Sequence, residues 1–498
     1  MTHPTTDPAL RPAVHFSPQR NWMNDPNGLV HHRGVYHLFF QHNPCGTNHG
    51  NMSWGHATST DLLQWEERPL AIRFDEVADI FSGSVVVDSN NTSGFGSPSA
   101  PPLVAIYTAA RRDGQGQAQA LAYSLDDGET WTKYLGNPVL DRGTRDFRDP
   151  KVFRYGSGPE AFWVMVAVEA EDRQVLFYRS EDLKEWTFLS SFGPAGAVGG
   201  VWECPDLFPL AIDGDPQDVQ WVLLISLNPG GVAGGSGTRY ILGDFDGIRF
   251  TPLDTEQSAL VQAEDRPALE QLTWLDWGRD CYAGVTFSGL PDERRVLIAW
   301  MNNWDYAHRL PSTWRDAMTL PRQLTLVRAG DAVQLAQRPI APEGEVLWTA
   351  TDESVTESLE LPVELPVAAR VDVRLRVEEA TITLLRWHDD EGEGALTWDS
   401  MARELALDRS APASVSVEGF SSTQRAPLHV SGNVLELSMW FDSNSLEVVT
   451  ADGLRSITDQ IPPPRGRRRM SVEVSAGGAH LEQIRIVELA AHKAVEAD

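Results

Sequence analysis

Short apolar runs set the rhythm of this chain. VYHLFFQH, LVAIYTAA, AFWVMVAVEA, WVLLISL and RRVLIAWM are each of strand length, and clusters of Gly, Pro, Asn and Asp separate them. Helical periodicity is scarce. Runs of this kind between turn signals predict an all-β fold: a sandwich, a barrel or a propeller. A repeat decides between them. Ser59-Thr-Asp61-Leu-Leu-Gln-Trp65 returns as Ser180-Glu-Asp182-Leu-Lys-Glu-Trp186 and, with one insertion, as Ser124-Leu-Asp126-Asp-Gly-Glu-Thr-Trp131. The serines are 65 and 56 residues apart, a period that holds four short strands with their turns and so predicts propeller blades with this segment at the blade edge.

A second series runs in step with the first: Asn24-Asp25-Pro26-Asn27, Phe81-Ser82-Gly83-Ser84, Arg148-Asp149-Pro150, Glu203-Cys204-Pro205 and Tyr282-Ala283-Gly284. Counted at Asp25, Ser82, Asp149, Glu203 and Tyr282, the gaps are 57, 67, 54 and 79 residues, which predicts five blades. If each station occupies the same strand of its blade, radial closure brings these residues to one central axis. The last blade is expected to end near Pro321 to Pro339, through WRDAMTLPRQLTL. Beyond Leu347 the character changes: 13 of the 17 Trp lie in residues 1–345, and the remainder alternates apolar and polar residues, as in VDVRLRVEEATITLLRW and LELSMWFDSNSLEVVTADG. That alternation predicts a β-sandwich. The expected division is a five-bladed β-propeller over 1–340, a linker at 341–345 (APEGE) and a C-terminal β-sandwich over 346–498.

A length of 498 residues supports two or three domains, and 42% hydrophobic with 22% charged residues describes a chain that folds. The formal net charge of -29 argues against nucleic acid or an acidic membrane surface as partner and leaves neutral substrates open. MTHPTTDPALRPAVHFSP carries no apolar signal region and no run of eighteen apolar residues occurs, so the expected location is cytoplasmic unless a leader has been removed. Cys45, Cys204 and Cys281 are odd in number and far apart, which argues against disulfides and a cysteine zinc site. His31, His32, His37, His42, His49 and His56 crowd the first predicted blade. No HExxH or paired-Cys pattern accompanies them, so they are assigned to strands and loops, with no metal and no cofactor expected. Asn228-Pro-Gly-Gly-Val-Ala-Gly-Gly-Ser-Gly237 lacks the Lys-Ser/Thr ending of a phosphate loop and is expected as a loop at the propeller rim. Arg465-Gly-Arg-Arg-Arg469 is expected as a solvated loop, and the tail LAAHKAVEAD as frayed. Asn51-Met-Ser and Asn91-Thr-Ser match the glycosylation pattern, which matters only on secretion.

Three of the five stations carry a carboxylate: Asp25, Asp149 and Glu203. Acids grouped around an axis lined by Trp and Asn suit hydrolysis of a glycosidic bond, in which one carboxylate serves as nucleophile and another as acid and then base. Each acid is followed by Pro or by Cys-Pro, which restricts the local backbone and aims the side chain.

These residues resemble the glycoside hydrolase family of invertase, inulinase and levanase, family 32. The resemblance rests on Asn21-Trp-Met-Asn-Asp-Pro-Asn-Gly28, Gln41 within FFQHNP, Met52-Ser-Trp-Gly-His56, Phe81-Ser-Gly-Ser84, Phe147-Arg-Asp-Pro150, Trp202-Glu-Cys-Pro205, Cys281-Tyr-Ala283 and Arg295-Val-Leu-Ile-Ala-Trp-Met-Asn-Asn-Trp304, spread over roughly 300 residues in the family's order. It implies a five-bladed propeller followed by a sandwich, and it implies roles. Asp25 would be the nucleophile on the anomeric carbon of a terminal fructose, Glu203 the acid and then base, and Asp149, beside Arg148, the stabiliser of the transition state. Glu203 would need a raised pKa, while Arg148 would hold Asp149 down and ionised. Asn24, Gln41, Trp54, Phe81, Ser82, Tyr282 and Trp300 resemble pocket-lining residues. Cys204 is either a weak hydrogen-bond neighbour of the acids or a small buried filler. Cys281 stands where the family commonly has an aromatic residue and Ala299 where glycine is usual, with effects expected beneath the pocket.

The implied activity is exo-acting β-fructosidase action on sucrose, fructo-oligosaccharides, inulin or levan. NNWDYA with Ser312-Thr-Trp-Arg315 resembles the microbial inulinase and levanase branch. A fructosyltransferase on the same acids is the first alternative. A carbohydrate-binding propeller without turnover and an arabinan-type hydrolase are further ones.

Overall fold

The structure, a computed structural model, describes residues 11–97, 99–254, 258–292, 294–309, 316–378, 382–390, 392–410 and 417–491. Ser312–Arg315 and the end of the C-terminal tail lie outside the described residues. Twenty strands form five four-stranded antiparallel blades in chain order. Blade one starts at Trp22–His32, blade two at Ala78–Val87, blade three at Phe147–Tyr155, blade four at Val201–Ile212 and blade five at Tyr282–Thr286. Each blade pairs its strands sequentially outward, so these five are the innermost strands, and all five predicted stations fall on them. The last blade ends with Ala332–Pro339. The ring closes where Ser288, just past the fifth inner strand, exchanges backbone hydrogen bonds with Leu29 and His31 of the first, at 2.9 Å each.

The repeated Ser-Asp-Trp segment forms the turn between the third and fourth strands of blades one to three. Ser59, Ser124 and Ser180 each bond the aspartate two residues on, and Trp65, Trp131 and Trp186 donate their indole N–H to the backbone carbonyl three residues back. The motif is thus a turn that satisfies its own polar groups at the blade periphery. The inner strands are tied together across the axis. Lys151 of blade three pairs with Asp206 of blade four at 2.9 Å and donates to the Thr286 carbonyl of blade five at 2.5 Å, and Ser84 of blade two donates to the Pro150 carbonyl at 2.9 Å. Within a buried axis these groups pair with one another where water does not reach, with Asp206 Oδ1 left without a partner among the described residues.

The second unit is a sandwich of two six-stranded sheets, one holding Gly344–Val355 beside Ala479–Leu489, the other holding Arg469–Ala476 beside Ile382–His388. Ala369–Val377 alternates buried and part-exposed residues, as expected of a sheet with one covered face. Ser445–Thr450 and Ser456–Gln460 are buried at every position, because their second face packs on the propeller. The chain from Ala13 to His15 runs across this junction, where three successive backbone N–H groups donate to the Asp442 carboxylate. The Arg465–Arg469 segment is only partly the solvated loop expected from sequence. Arg468 is buried and lies over the Phe441 ring at 5.1 Å, and burial lowers its pKa to about 10. No helix among the described residues is long and apolar enough to cross a membrane.

Candidate active site

Every inner strand carries a bulge at its station. Pairing with the neighbouring strand skips Asn24 and Asp25 in blade one, Phe81 and Ser82 in blade two, Asp149 and Pro150 in blade three, Cys204 and Pro205 in blade four, and Ala283 and Gly284 in blade five. A bulge frees two residues from the ladder and turns a side chain out of the pleat, and proline, with no N–H to lose, is tolerated there. Asp149, Cys204 and Ala283 have φ of 62°, 46° and 54°, a region that L residues rarely adopt. Five bulges, three of them strained, thus aim five sets of side chains at one end of the axis.

The acids meet there. Asp25 accepts from Ser82 Oγ at 2.7 Å on one oxygen and from Asn24 Nδ2 at 3.1 Å on the other. Asn24 is itself held by the Trp22 indole N–H at 2.7 Å. Cys204 Sγ lies 3.5 Å from Asp25 Oδ2 and 3.7 Å from Asp149 Oδ2, and its backbone N–H donates to the same Asp149 oxygen at 2.9 Å. The thiol is therefore a hydrogen-bond neighbour of both aspartates, and burial beside them pushes its pKa well above the usual thiol range, so it stays a proton donor. Burial, with the nearby Glu203 carboxylate, pushes Asp25 above its ordinary value, against the hydrogen bonds from Ser82, Asn24 and Cys204.

Arg148 departs from expectation. Its Nε and Nη2 donate to Glu203 Oε1 at 3.2 and 3.1 Å and its Nη1 to Asp146 at 3.0 Å, while its nearest approach to Asp149 is 3.9 Å. The guanidinium clamps Glu203 across two blades, and its charge, 3.9 Å from Asp149, lowers that carboxyl without prevailing over burial. In this ligand-free structure burial raises Asp149 to about 7 in spite of Arg148, with Glu203 and Asp25 adding to the rise. Tyr282 is expected on the pocket wall, and its hydroxyl donates to the other Glu203 oxygen at 2.5 Å. Burial and Glu203 push the Tyr282 pKa far up, which keeps that donor protonated.

Gln41 and Trp54 stand behind this layer. The Gln41 amide donates to the Ile80 carbonyl at 3.1 Å and the fully buried Trp54 donates to the Phe81 carbonyl at 3.0 Å, so both brace the blade-two bulge that carries Ser82. Cys281 and Ala299 pack together with Leu275 and Leu297 in the layer outside the pocket. Sequence analysis missed an aromatic collar beside the acids. Trp22 stacks on His308 at 4.9 Å, and His49 meets Trp22, Phe81 and Trp304 edge-on at 6.2, 6.0 and 5.7 Å. Trp304 lies 5.0 Å from Trp300, whose indole N–H is buried with no partner among the described residues. Burial, then His308, lowers the His49 pKa, so its imidazole is neutral at ordinary pH. The only sequence signal for His49 was its place between FFQHNP and MSWGH. Among the described residues no group of three or more His, Cys, Asp or Glu could hold a metal ion.

Comparison with known proteins gives this geometry a family. The chain is 41% identical over 496 residues to a levanase from Bacillus subtilis, covering 96% of this chain and 70% of the levanase. It is 40% identical over 519 residues to an extracellular exo-inulinase from Aspergillus niger, covering 96% and 94%. The crystal structure of exo-inulinase from Aspergillus awamori superposes with a TM-score of 0.90 at 36% identity, covering 98% of this chain and 99% of that one. A β-fructofuranosidase from Schwanniomyces occidentalis complexed with fructosyl-erythritol superposes at 0.86 with 30% identity, covering 96% and 98%. Residues 15–339 match the glycosyl hydrolases family 32 N-terminal domain and residues 340–488 its C-terminal domain. With both domains matched and the relatives aligned over 96% of this chain, this chain belongs to glycosyl hydrolase family 32.

Proposed function

We propose that the chain is a retaining, exo-acting β-fructosidase that removes terminal, non-reducing β-D-fructofuranosyl units from sucrose, fructo-oligosaccharides, inulin or levan. The observation that carries this reading is the convergence of Asp25, Asp149 and Glu203 around the Cys204 thiol, each acid with different partners. An Asp25 oxygen attacks the anomeric carbon as the bond to the leaving oxygen breaks, and Glu203 gives that oxygen its proton. Glu203 then takes a proton from a water molecule whose oxygen displaces Asp25 and frees fructose with net retention. The hydrogen bonds from Ser82 and Asn24 favour the charged form of Asp25 that the attack needs. Arg148 and Tyr282 fix the two oxygens of Glu203, so its proton is delivered from a defined place. In this reading Asp149 binds ring hydroxyls and stabilises the oxocarbenium-like transition state. The hydroxyls of the ring bring donors that favour its ionised form.

The same reading assigns residues 1–340 to catalysis, 341–345 to a join and 346–498 to the sandwich. Three unpaired cysteines, two of them buried, favour a reducing compartment, and we place the chain in the cytoplasm although one of the relatives above is named extracellular.

Chromatography of products from sucrose, inulin and levan tests the activity. Free fructose is expected from the first time point, with Asp25→Ala reducing turnover on the order of 10⁴-fold or more and Glu203→Ala by about 10²–10⁴-fold. Early release of oligosaccharides would overturn the exo assignment. Near-normal turnover in Asp25→Ala would remove the nucleophile.

A further inference from the structure

Two chains of polar bonds cross the axis in parallel. The upper one lies in the cup: Arg148 of blade three donates to Glu203 of blade four at 3.1 Å, and Tyr282 of blade five donates to the other Glu203 oxygen at 2.5 Å. The lower one repeats the order of blades. Lys151 Nζ lies 2.9 Å from Asp206 Oδ2 and donates to the Thr286 carbonyl, while the Thr286 N–H and hydroxyl donate to that same aspartate oxygen at 2.7 and 2.8 Å. Lys151, Asp206 and Thr286 are all buried. Arg148 and Lys151 are the paired residues on either side of the blade-three bulge, and Glu203 and Asp206 hold the same places in blade four. In blade five Tyr282 precedes the bulge, and Thr286 follows its far edge, Val285, by one residue. Each bulge is thus held at one end by a chain that includes the proton donor and at the other by a chain that the mechanism leaves unused.

We infer that Lys151 and Asp206 are positioning residues for the reaction: their ion pair, joined by Thr286, fixes the far ends of three bulges and so sets where the Glu203 carboxyl meets the leaving oxygen. The inference rests on the hydrolase reading above and adds to it. Asp149, Cys204 and Ala283 have positive φ inside these bulges, and such backbone persists only where its surroundings hold it in place. Fold stability alone is a poor reason for the pair, since two charges taken out of water are often matched or bettered by apolar side chains of similar volume. What an apolar pair could not do is join three strands at one oxygen. Asp206 Oδ2 meets donors from blades three and five at once, so a shift of either blade against blade four breaks a bond. Moving a catalytic group by about 1 Å can cost about 10²-fold in rate.

The test compares sucrose, whose leaving sugar needs a proton, with 4-nitrophenyl β-D-fructofuranoside, whose phenolate leaves with little help. Lys151→Met/Asp206→Asn removes both charges at nearly constant volume, and Thr286→Val keeps the ion pair and removes one donor. Thermal melts set the assay temperature below every transition. The expected result on sucrose is a fall in kcat/KM of about 10²-fold for the double variant and about threefold to tenfold for Thr286→Val, with KM nearly unchanged. On the aryl fructoside the double variant should lose less than about tenfold, because a misplaced acid matters least to a good leaving group. Equal losses on the two substrates, or none, in the folded double variant would overturn the positioning role and leave the hydrolase reading intact. If the double variant does not fold, Thr286→Val decides by the same comparison. Absence of fructose release from both substrates by the unmodified chain would overturn the hydrolase reading and the inference together.

Discussion

At Asp149 burial and a neighbouring cation compete, and burial wins because the cation is engaged elsewhere. Arg148 commits its donors to Glu203, Asp146 and Gln117, so the adjacent residue in sequence receives its charge from 3.9 Å and no hydrogen bond. The direction in which a long side chain leaves a bulge decides this, and no spacing in the sequence encodes it. The acids themselves were legible, because each sits in a short motif in phase with the blades. The protonation of the aspartates was not, because it depends on which polar groups close around the cluster from all five blades. A carboxyl raised to about 7 in the folded state gives a stability contribution that is present below its ordinary value near 3.8 and is lost as pH rises through 7. Asp149→Asn should therefore gain stability over the unmodified chain as pH increases from 4 to 7, by at most about 1.4 kcal/mol per pH unit. Asp25 is raised in the same cluster, so the slope belongs to the coupled group. Melting temperatures of both proteins at pH 5 and pH 8 check the sign: a gap that fails to widen at the higher pH would contradict it.

The inner strand is the element that converts sequence into a site, and its device is the bulge. Asp25-Pro26, Asp149-Pro150 and Cys204-Pro205 are visible in the sequence as dipeptides, yet the bulge emerges only in the pairing with the second strand of each blade. The same is true of Gly28 in the first inner strand, at φ 52°. A Cβ there would lie 2.7 Å from Val85, 2.8 Å from Phe39 and 3.1 Å from Trp54, the side chains that separate blades one and two. Gly28→Ala should cost about 1–2 kcal/mol for the left-handed backbone and a further 1–3 kcal/mol for the forced repacking. Because Trp54 holds the Phe81 carbonyl and the next residue, Ser82, holds Asp25, turnover should fall beyond what lost folding explains. Denaturant melts paired with kcat measured well below the transition separate the two effects. A variant as stable and active as the parent would show that blade one does not brace the site through this contact. The collar residues His49 and His308 were invisible for a complementary reason: each lies in a connecting segment with no periodicity, and only closure of the ring sets them on Trp22 and Trp304.

Over the whole molecule, the propeller and sandwich meet through buried charge. Arg322 of blade five bonds Asp276 of the propeller at 2.9 Å and also Glu447 of the sandwich, and Arg409 of the sandwich bonds Asp280 at 2.6 Å and the Tyr306 hydroxyl at 2.7 Å. Tyr306 belongs to the segment that carries Trp304 and His308, so the sandwich supports the collar from behind. Partners more than a hundred residues apart left no trace in the local pattern. His15 completes the network between Asp442 at 2.8 Å and Glu447 at 2.9 Å. Burial alone would lower its pKa, but the two carboxylates reverse this and lift it to about 9. Its contribution is thus complete below the ordinary value of 6.5 and is lost as pH rises through 9. Glu447, lowered to about 2, contributes above its ordinary 4.5 and fails only as pH falls through 2. Asp459 at the same junction is raised to about 7, as is Asp149, and both have shed their protons by about pH 8, so the interval from pH 8 to 9 isolates His15. In that interval the parent should lose stability with a slope of up to about 1.4 kcal/mol per pH unit, whereas His15→Gln should be less stable at pH 8 and nearly flat from there to pH 9. Parallel denaturation curves at pH 8, 8.5 and 9 measure both slopes. Equal slopes would mean that the junction does not hold its strength in the His15 proton, and that the arginines alone keep the sandwich on the propeller.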